Sequence, residues 1–211
     1  MSTMSAEAKQ AGQLILSGLR QFNQAAVLFE SYIEPAFGKS VELIVDAFVR
    51  ELGWEGDLNW DKGGHWFANK AWQSDEEWFA TFSEHLTEKG EQDYWLAVVT
   101  GRGTVKAEWG YRFKPQRASL GGTQNFNRWM RDYGSSLASP LVELGFRDEG
   151  KGEFFLPVRF ELEQLAACWL EYGEFREDHE LFKPLRVVLE TLKQAMPYFD
   201  ILLEKASKAV K

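Results

Sequence analysis

Lys106, Arg112 and Lys114 stand at even spacing, Arg117 follows closely, and Arg128 and Arg131 come after a Gly121-Gly122-Thr123 step. On a strand, even spacing turns side chains to one face, so the first three form a row of cations. Backbone N–H groups at a helix start attract anions, and glycines let a phosphate approach the backbone closely. This set could therefore hold a phosphate, a carboxylate or an acidic protein surface. The double glycine lacks the lysine of a Walker-type loop. The same row could instead pair with the chain's own acidic segment or face water, and both alternatives stay open.

Trp54, Trp60, Trp66, Trp72 and Trp78 stand six residues apart, and the chain holds nine tryptophans in 211 residues. The intervening EGDLN, DKGGH, FANKA and QSDEE share no pattern, so the series is not a repeat. Tryptophan is enriched where partners bind, but it is also a core residue. Trp54, Trp60 and Trp66 lie among glycines and charges and are the candidates for an exposed aromatic surface. Trp72 and Trp78 are assigned to the core.

Catalytic constellations are incomplete. Metal-dependent nucleases often set a carboxylate on one strand against an acid-x-lysine on the next. Asp93 and Glu108 approach that arrangement, but position 110 is Gly; Glu30, with Lys106 or Arg112, could substitute. His65, His85 and His179 are scattered, with no H-x-x-x-H pair for a metal. Cys168 lies among Leu165, Ala166, Ala167 and Trp169, where a buried thiol is inert. No G-x-S-x-G elbow is present. No catalytic residue, metal or cofactor is assigned.

The elements that must carry these residues read as follows. Residues 5–34 form an amphipathic helix capped by Ser5, with Ile15, Leu19, Phe22, Ala26, Phe29 and Ile33 in one seam. Pro35 should end it. The seam could zip two chains together or cover the chain's own sheet. A second helix fits 40–52, stopped by Gly53. Two short strands are expected near Leu58–Trp60 and His65–Trp72. Ser74-Asp-Glu-Glu77 reads as a capping box opening a helix that Gly90 closes.

The apolar run Tyr94–Val99 reads as a central strand, turning at Gly101-Arg102-Gly103 into a strand over 105–114. That strand alternates Val105, Ala107, Trp109, Tyr111 and Phe113 with a mostly basic outer set. A helix with Phe126, Trp129, Met130 and Tyr133 should stop at Gly134. A short helix follows from Ser139-Pro140 to Gly145. Phe146–Phe160 reads as a hairpin turning at 148–152. A helix then carries Leu162, Leu165, Ala166 and Trp169, and a helical tail from about 178 breaks near Pro184 and Pro197.

Length suits one α+β domain over 1–211: a helical pair at 5–53, mixed strands and helices at 54–160, and a helical tail at 161–211. The architecture expected is an antiparallel sheet of four to six strands with helices packed against it, a long N-terminal helix and a helical C-terminus. The formal charge is −8, which does not favour nucleic acid as a partner. It is lopsided: residues 100–131 carry a net +6, while 148–180 hold ten acids. No secretory signal or membrane span is visible, so a cytoplasmic protein is expected.

The reading that unites these features is a non-catalytic binding or adaptor protein. It would hold a protein partner or anionic ligand through Lys106, Arg112, Lys114, Arg117 and Arg128, through Trp54, Trp60 and Trp66, or through both. Homo-oligomerisation is compatible with it. The alternative is a metal-dependent enzyme acting on phosphodiesters or nucleotides, or a degenerate nuclease-like fold.

Overall fold

The computed structural model describes residues 4–58, 65–74, 77–87 and 93–209. It is an α+β protein built on a six-stranded antiparallel sheet. The sheet strands are β1 (Glu55–Asp57), β2 (Trp66–Ala68), β5 (Ala80–Leu86), β6 (Trp109–Pro115), β7 (Arg147–Gly150) and β8 (Glu153–Val158). They lie in the order β1-β2-β5-β6-β8-β7. A separate two-residue ribbon pairs β3 (Gln73–Ser74) with β4 (Glu77–Trp78). The helices are α1 (Ala6–Ser17), α2 (Leu19–Leu28), α3 (Glu34–Glu51), α4 (Trp95–Val99), α5 (Thr123–Glu143), α6 (Leu162–Tyr172) and α7 (Lys183–Ala209). Among the described residues no helix is long and apolar enough to cross a membrane.

Period-two patterning gives the sheet two unlike faces. On the inner face Phe67, Phe82, Phe113 and Phe154 lie in register across four strands, all fully buried. Trp109 and Tyr111 continue this face along β6, also with no exposed surface. Helix α7 lays Phe199 on the phenylalanine row, stacked 4.1 Å from Phe113. Helix α3 adds Phe37, Val41 and Val45 to the same core. On the outer face the row across the strands reads Trp66, Ser83, Arg112, Phe155 and Arg147.

Several sequence expectations are corrected. Pro35 does not end the first helix. A π turn over Phe29–Ile33 widens the helix, with the Glu34 N–H donating to the Phe29 carbonyl. Pro35 then falls in the first turn of α3, where a missing N–H costs least. The helix expected after Ser74 is instead β4 and β5; Ser74 pairs with Glu77 in the ribbon. Strand β5 is bonded to β2 on one side and β6 on the other. Two ladders and the burial of Ala80 and Phe82 outweigh a cap that contributes only about 1 kcal/mol.

The run 94–99 is a short buried helix rather than a strand. Short apolar runs do not distinguish the two. The basic segment 102–117 is consequently not a hairpin: its strand begins at Trp109, and its neighbours are β5 and β8. The expected strand over His65–Trp72 shrinks to Trp66–Ala68, followed by a 3₁₀ turn at Lys70–Trp72, and the strand expected near Leu58–Trp60 sits at Glu55–Asp57. Trp60 lies outside the described residues. Helix α5 runs through Gly134 and Pro140, and α7 runs through Pro197, so none of these residues breaks its helix.

The glycine at 110 has a packing cause. A Cβ there would come within 2.2 Å of the Leu156 carbonyl oxygen and 2.8 Å of the Pro157 Cα, both backbone atoms of β8. Gly110→Ala is expected to destabilise by about 2 kcal/mol, as overpacking at a rigid site does. Urea unfolding of the variant checks this; an unchanged midpoint would mean that β8 yields without cost.

Candidate functional site

The charged and polar side chains gathered along the central outer row of the sheet form the candidate site. At its middle Arg112 is shared. Its guanidinium lies 2.6 Å from Glu149 and 3.8 Å from Glu153, and it also meets His85 Nε2. Arg117 closes on the same Glu153. Arg147 bonds Glu108 at 2.7 Å and lies over the Phe155 ring at 4.9 Å. His85 stands edge-on to Phe155 and is held below its usual pKa, first by burial and then by the Arg112 charge. The acidic hairpin β7–β8 thus neutralises the two arginines nearest to it.

The remaining cations stand differently. Lys114, exposed, is opposite Thr81 across β5–β6. Lys106 lies ahead of β6 and Arg128 lies on α5, both exposed. Among the described residues none of these three forms an ion pair within 4.0 Å. The sequence set therefore divides into two arginines held in ion pairs and three cations without one among the described residues; of these three only Lys114 belongs to the sheet's outer face. Gly121 and Gly122 take positive φ angles of 84° and 94°, and no side chain caps α5.

The tryptophans divide as well. Trp54 lies on the inner side, stacked with Phe67 and Phe82 at 6.0 Å each. Trp72 is buried and donates its indole N–H to Asp200 at 2.7 Å. Trp66 is on the outer face, where it meets Trp78 edge-on at 5.5 Å. These two rings, with Thr81, Gln116, Ser119 and Glu77, line a concavity of about 500 Å³. Ser119 donates to Glu77 at 2.9 Å. Ala118 and Ser119 also wall a second cleft of about 710 Å³, which Trp72, Leu203 and Asp200 help to line.

Trp78, Thr81, Gln116 and Ser119 are not among the candidates that the sequence yields. Their signal is the alternation of Thr81, Ser83 and His85 with Ala80, Phe82 and Glu84, which marks a two-faced strand. The helical capping pattern at 74–77 conceals it. Only with 80–86 extended do Thr81 and Trp78 come to the same surface as Trp66.

The carboxylates of the enzyme reading are already engaged. Asp93 accepts from the Thr104 N–H at 2.7 Å, the Thr104 hydroxyl at 2.8 Å and the Val105 N–H at 3.3 Å. Those bonds lower its pKa, the Thr104 side-chain bond most. Glu108 is bonded to Arg147. The backbone of β8 fills the space that any side chain at position 110 would need. Among the described residues no group of three or more His, Cys, Asp or Glu side chains is placed to hold a metal ion.

No family model, no curated protein and no solved structure matches this chain.

Proposed function

We propose that this is a non-catalytic binding protein that holds a protein partner on the outer face of its sheet, at the Trp66–Trp78 concavity. The observation that carries the reading is the pair of half-buried indoles there beside Thr81, whose cross-strand neighbour Lys114 has no ion-pair partner among the described residues. Rings held by a sheet are rigid anchors and lose little entropy on binding. Thr81, Gln116 and Ser119 bring hydrogen-bonding groups beside them. Lys114, in register with Thr81, is the cation left for an acidic residue of the partner. Arg112 and Arg117 serve the fold instead, tying β6 to the β7–β8 hairpin.

An array of peptides bearing Asp or Glu beside an aromatic or aliphatic residue, probed with the full chain, tests this. Truncating a central aromatic anchor costs about 2 kcal/mol or more, so Trp66→Ala and Trp78→Ala are expected to weaken the best peptide at least about thirtyfold. Lys114→Glu is expected to weaken it further as salt is lowered. No binding by the unmodified chain, or equal binding by it and both tryptophan variants, would remove the proposal.

A further inference from the structure

Helices α1 and α2, which meet at Gly18, leave most of their apolar seam uncovered; Phe29 and Ile33, at its end, are packed against the core. No residue of α1, α2 or the π turn is buried. Leu14, Ile15, Leu16, Leu19, Phe22, Val27 and Leu28 each expose between 40% and 72% of their surface. Large apolar side chains exposed in such a run mark an interaction surface. At its base the seam runs into an apolar groove of about 610 Å³, where Phe29 and Ile33 meet Tyr94, Leu162, Leu165 and Trp169. Leu170, on the groove wall, is 89% exposed.

We infer that two copies of this chain associate through these helices, antiparallel, each α1 seated in the groove of the other copy. Three observations favour a second copy over another occupant. The seam repeats at spacings of 4, 3, 4, 3 and 4, the heptad pattern by which helices pair with helices. An antiparallel pair centred near Gln24 sets Phe22 against Ala26, Leu19 against Phe29 and Ile15 against Ile33. The bulkiest residue thereby meets the smallest, as interdigitating layers require, and Ile15 lands at the groove. The apolar band is also wider than a two-helix seam: Leu16 and Val27 flank it on one side, and Leu14 and Leu28 stand beyond its other edge, beside Gln10, Ser17 and Gln24. A helix facing both a partner helix and a groove wall buries such a band.

A lipid surface is disfavoured by the opposite side of the helix. Gln10, Ser17, Gln24 and Ser31 stand there at seven-residue spacing with Arg20 the one base between them, whereas interfacial helices are rich in Lys and Arg on their polar side. The two-fold arrangement is self-complementary, so it closes as a dimer and does not propagate.

Sedimentation equilibrium of the full chain tests the inference. The expected species has twice the 24.3 kDa chain mass, and Phe22→Glu and Leu170→Glu should each shift it to monomer. Both positions are exposed, so near-UV circular dichroism should report an intact core in the two variants. A monomeric unmodified chain at about 100 µM, a hundredfold above a micromolar dissociation constant, would overturn the inference. So would a dimer that survives Phe22→Glu. A dimer lost in Phe22→Glu but kept in Leu170→Glu would overturn the seating of α1 in the groove. Flotation of the chain with phosphatidylcholine–phosphatidylglycerol vesicles, without dimerisation, would assign the seam to lipid.

Discussion

Phe199→Ala is expected to cost about 3–5 kcal/mol, the range for deleting a fully buried phenyl ring and leaving its cavity. At this chain length that lowers the unfolding midpoint by about 10–15 °C. The ring is fully buried. It stacks on Phe113 at 4.1 Å and contacts Phe82 at 5.4 Å, Phe146 at 5.4 Å and Phe154 at 6.0 Å. Those partners are themselves aromatic, most of them held in strand ladders, so they cannot collapse into the space. Phe199→Leu, which keeps much of the volume, is expected to cost less than about 1.5 kcal/mol. Urea unfolding of both variants measures the difference. Equal losses would mean that the ring's shape and stacking contribute nothing beyond its volume.

Glu84→Gln is expected to act in the opposite direction. Glu84 points to the inner face of β5, in register with Tyr111, and accepts the Trp109 indole N–H. Burial raises its pKa from 4.5 to about 7, while the Trp109 bond pulls the other way. The folded state therefore holds a proton on Glu84 that the unfolded state releases above about pH 4.5. Stability is greatest below that pH, falls as pH rises through about 7, and then levels off. The full fall is about 3 kcal/mol, because each pH unit between the two pKa values is equivalent to about 1.36 kcal/mol. The amide in the variant keeps an oxygen for the indole and carries no charge. The variant should match the unmodified chain near pH 4 and exceed it by up to about 3 kcal/mol near pH 8. A stability difference that does not change between those pH values would show that Glu84 is solvated when ionised.

What is legible in the sequence follows from where its periodicity is unambiguous. Strict alternation over Trp109–Pro115 locates the inner face of β6, and the glycine-bounded run at 146–160 locates the β7–β8 hairpin. Helix α3, helix α6 and the antiparallel sheet with helices packed against it are equally readable. The failures share a cause: local signals are overruled by neighbours distant in sequence. Ser74–Glu77 has the chemistry of a helix cap, yet β2 and β6 draw the following residues into the sheet. Tyr94–Val99 is apolar enough for a buried strand, yet the space beside Trp109 takes a short helix. Proline and glycine read locally as helix stops at 35, 134 and 197, and Pro140 as a helix start, where tertiary packing carries the helices through.

The candidate site is legible in composition but not in arrangement. Charge counting locates the basic segment and the acidic one at 148–180. Register is needed to show that Glu149 and Glu153 reach Arg112 and Arg117 but leave Lys114 without an ion pair among the described residues. Trp66 is a candidate from its context alone. Its companion Trp78 reads as a core residue because a helix over 74–90 would turn it inward.

The order of the chain gives the phenylalanine row a consequence in time. Phe67, Phe82, Phe113 and Phe154 are all synthesised before α7, which supplies Phe199. At about 5–20 residues per second, the stretch from Val158 to Ala209 takes about 3–10 s to translate. For those seconds a growing polypeptide carries a sheet whose oily side lacks its main cover. The ribosome-bound form is thus the stage at which apolar sheet surface is most open to aggregation, and that stage lasts until residues 183–209 have been made.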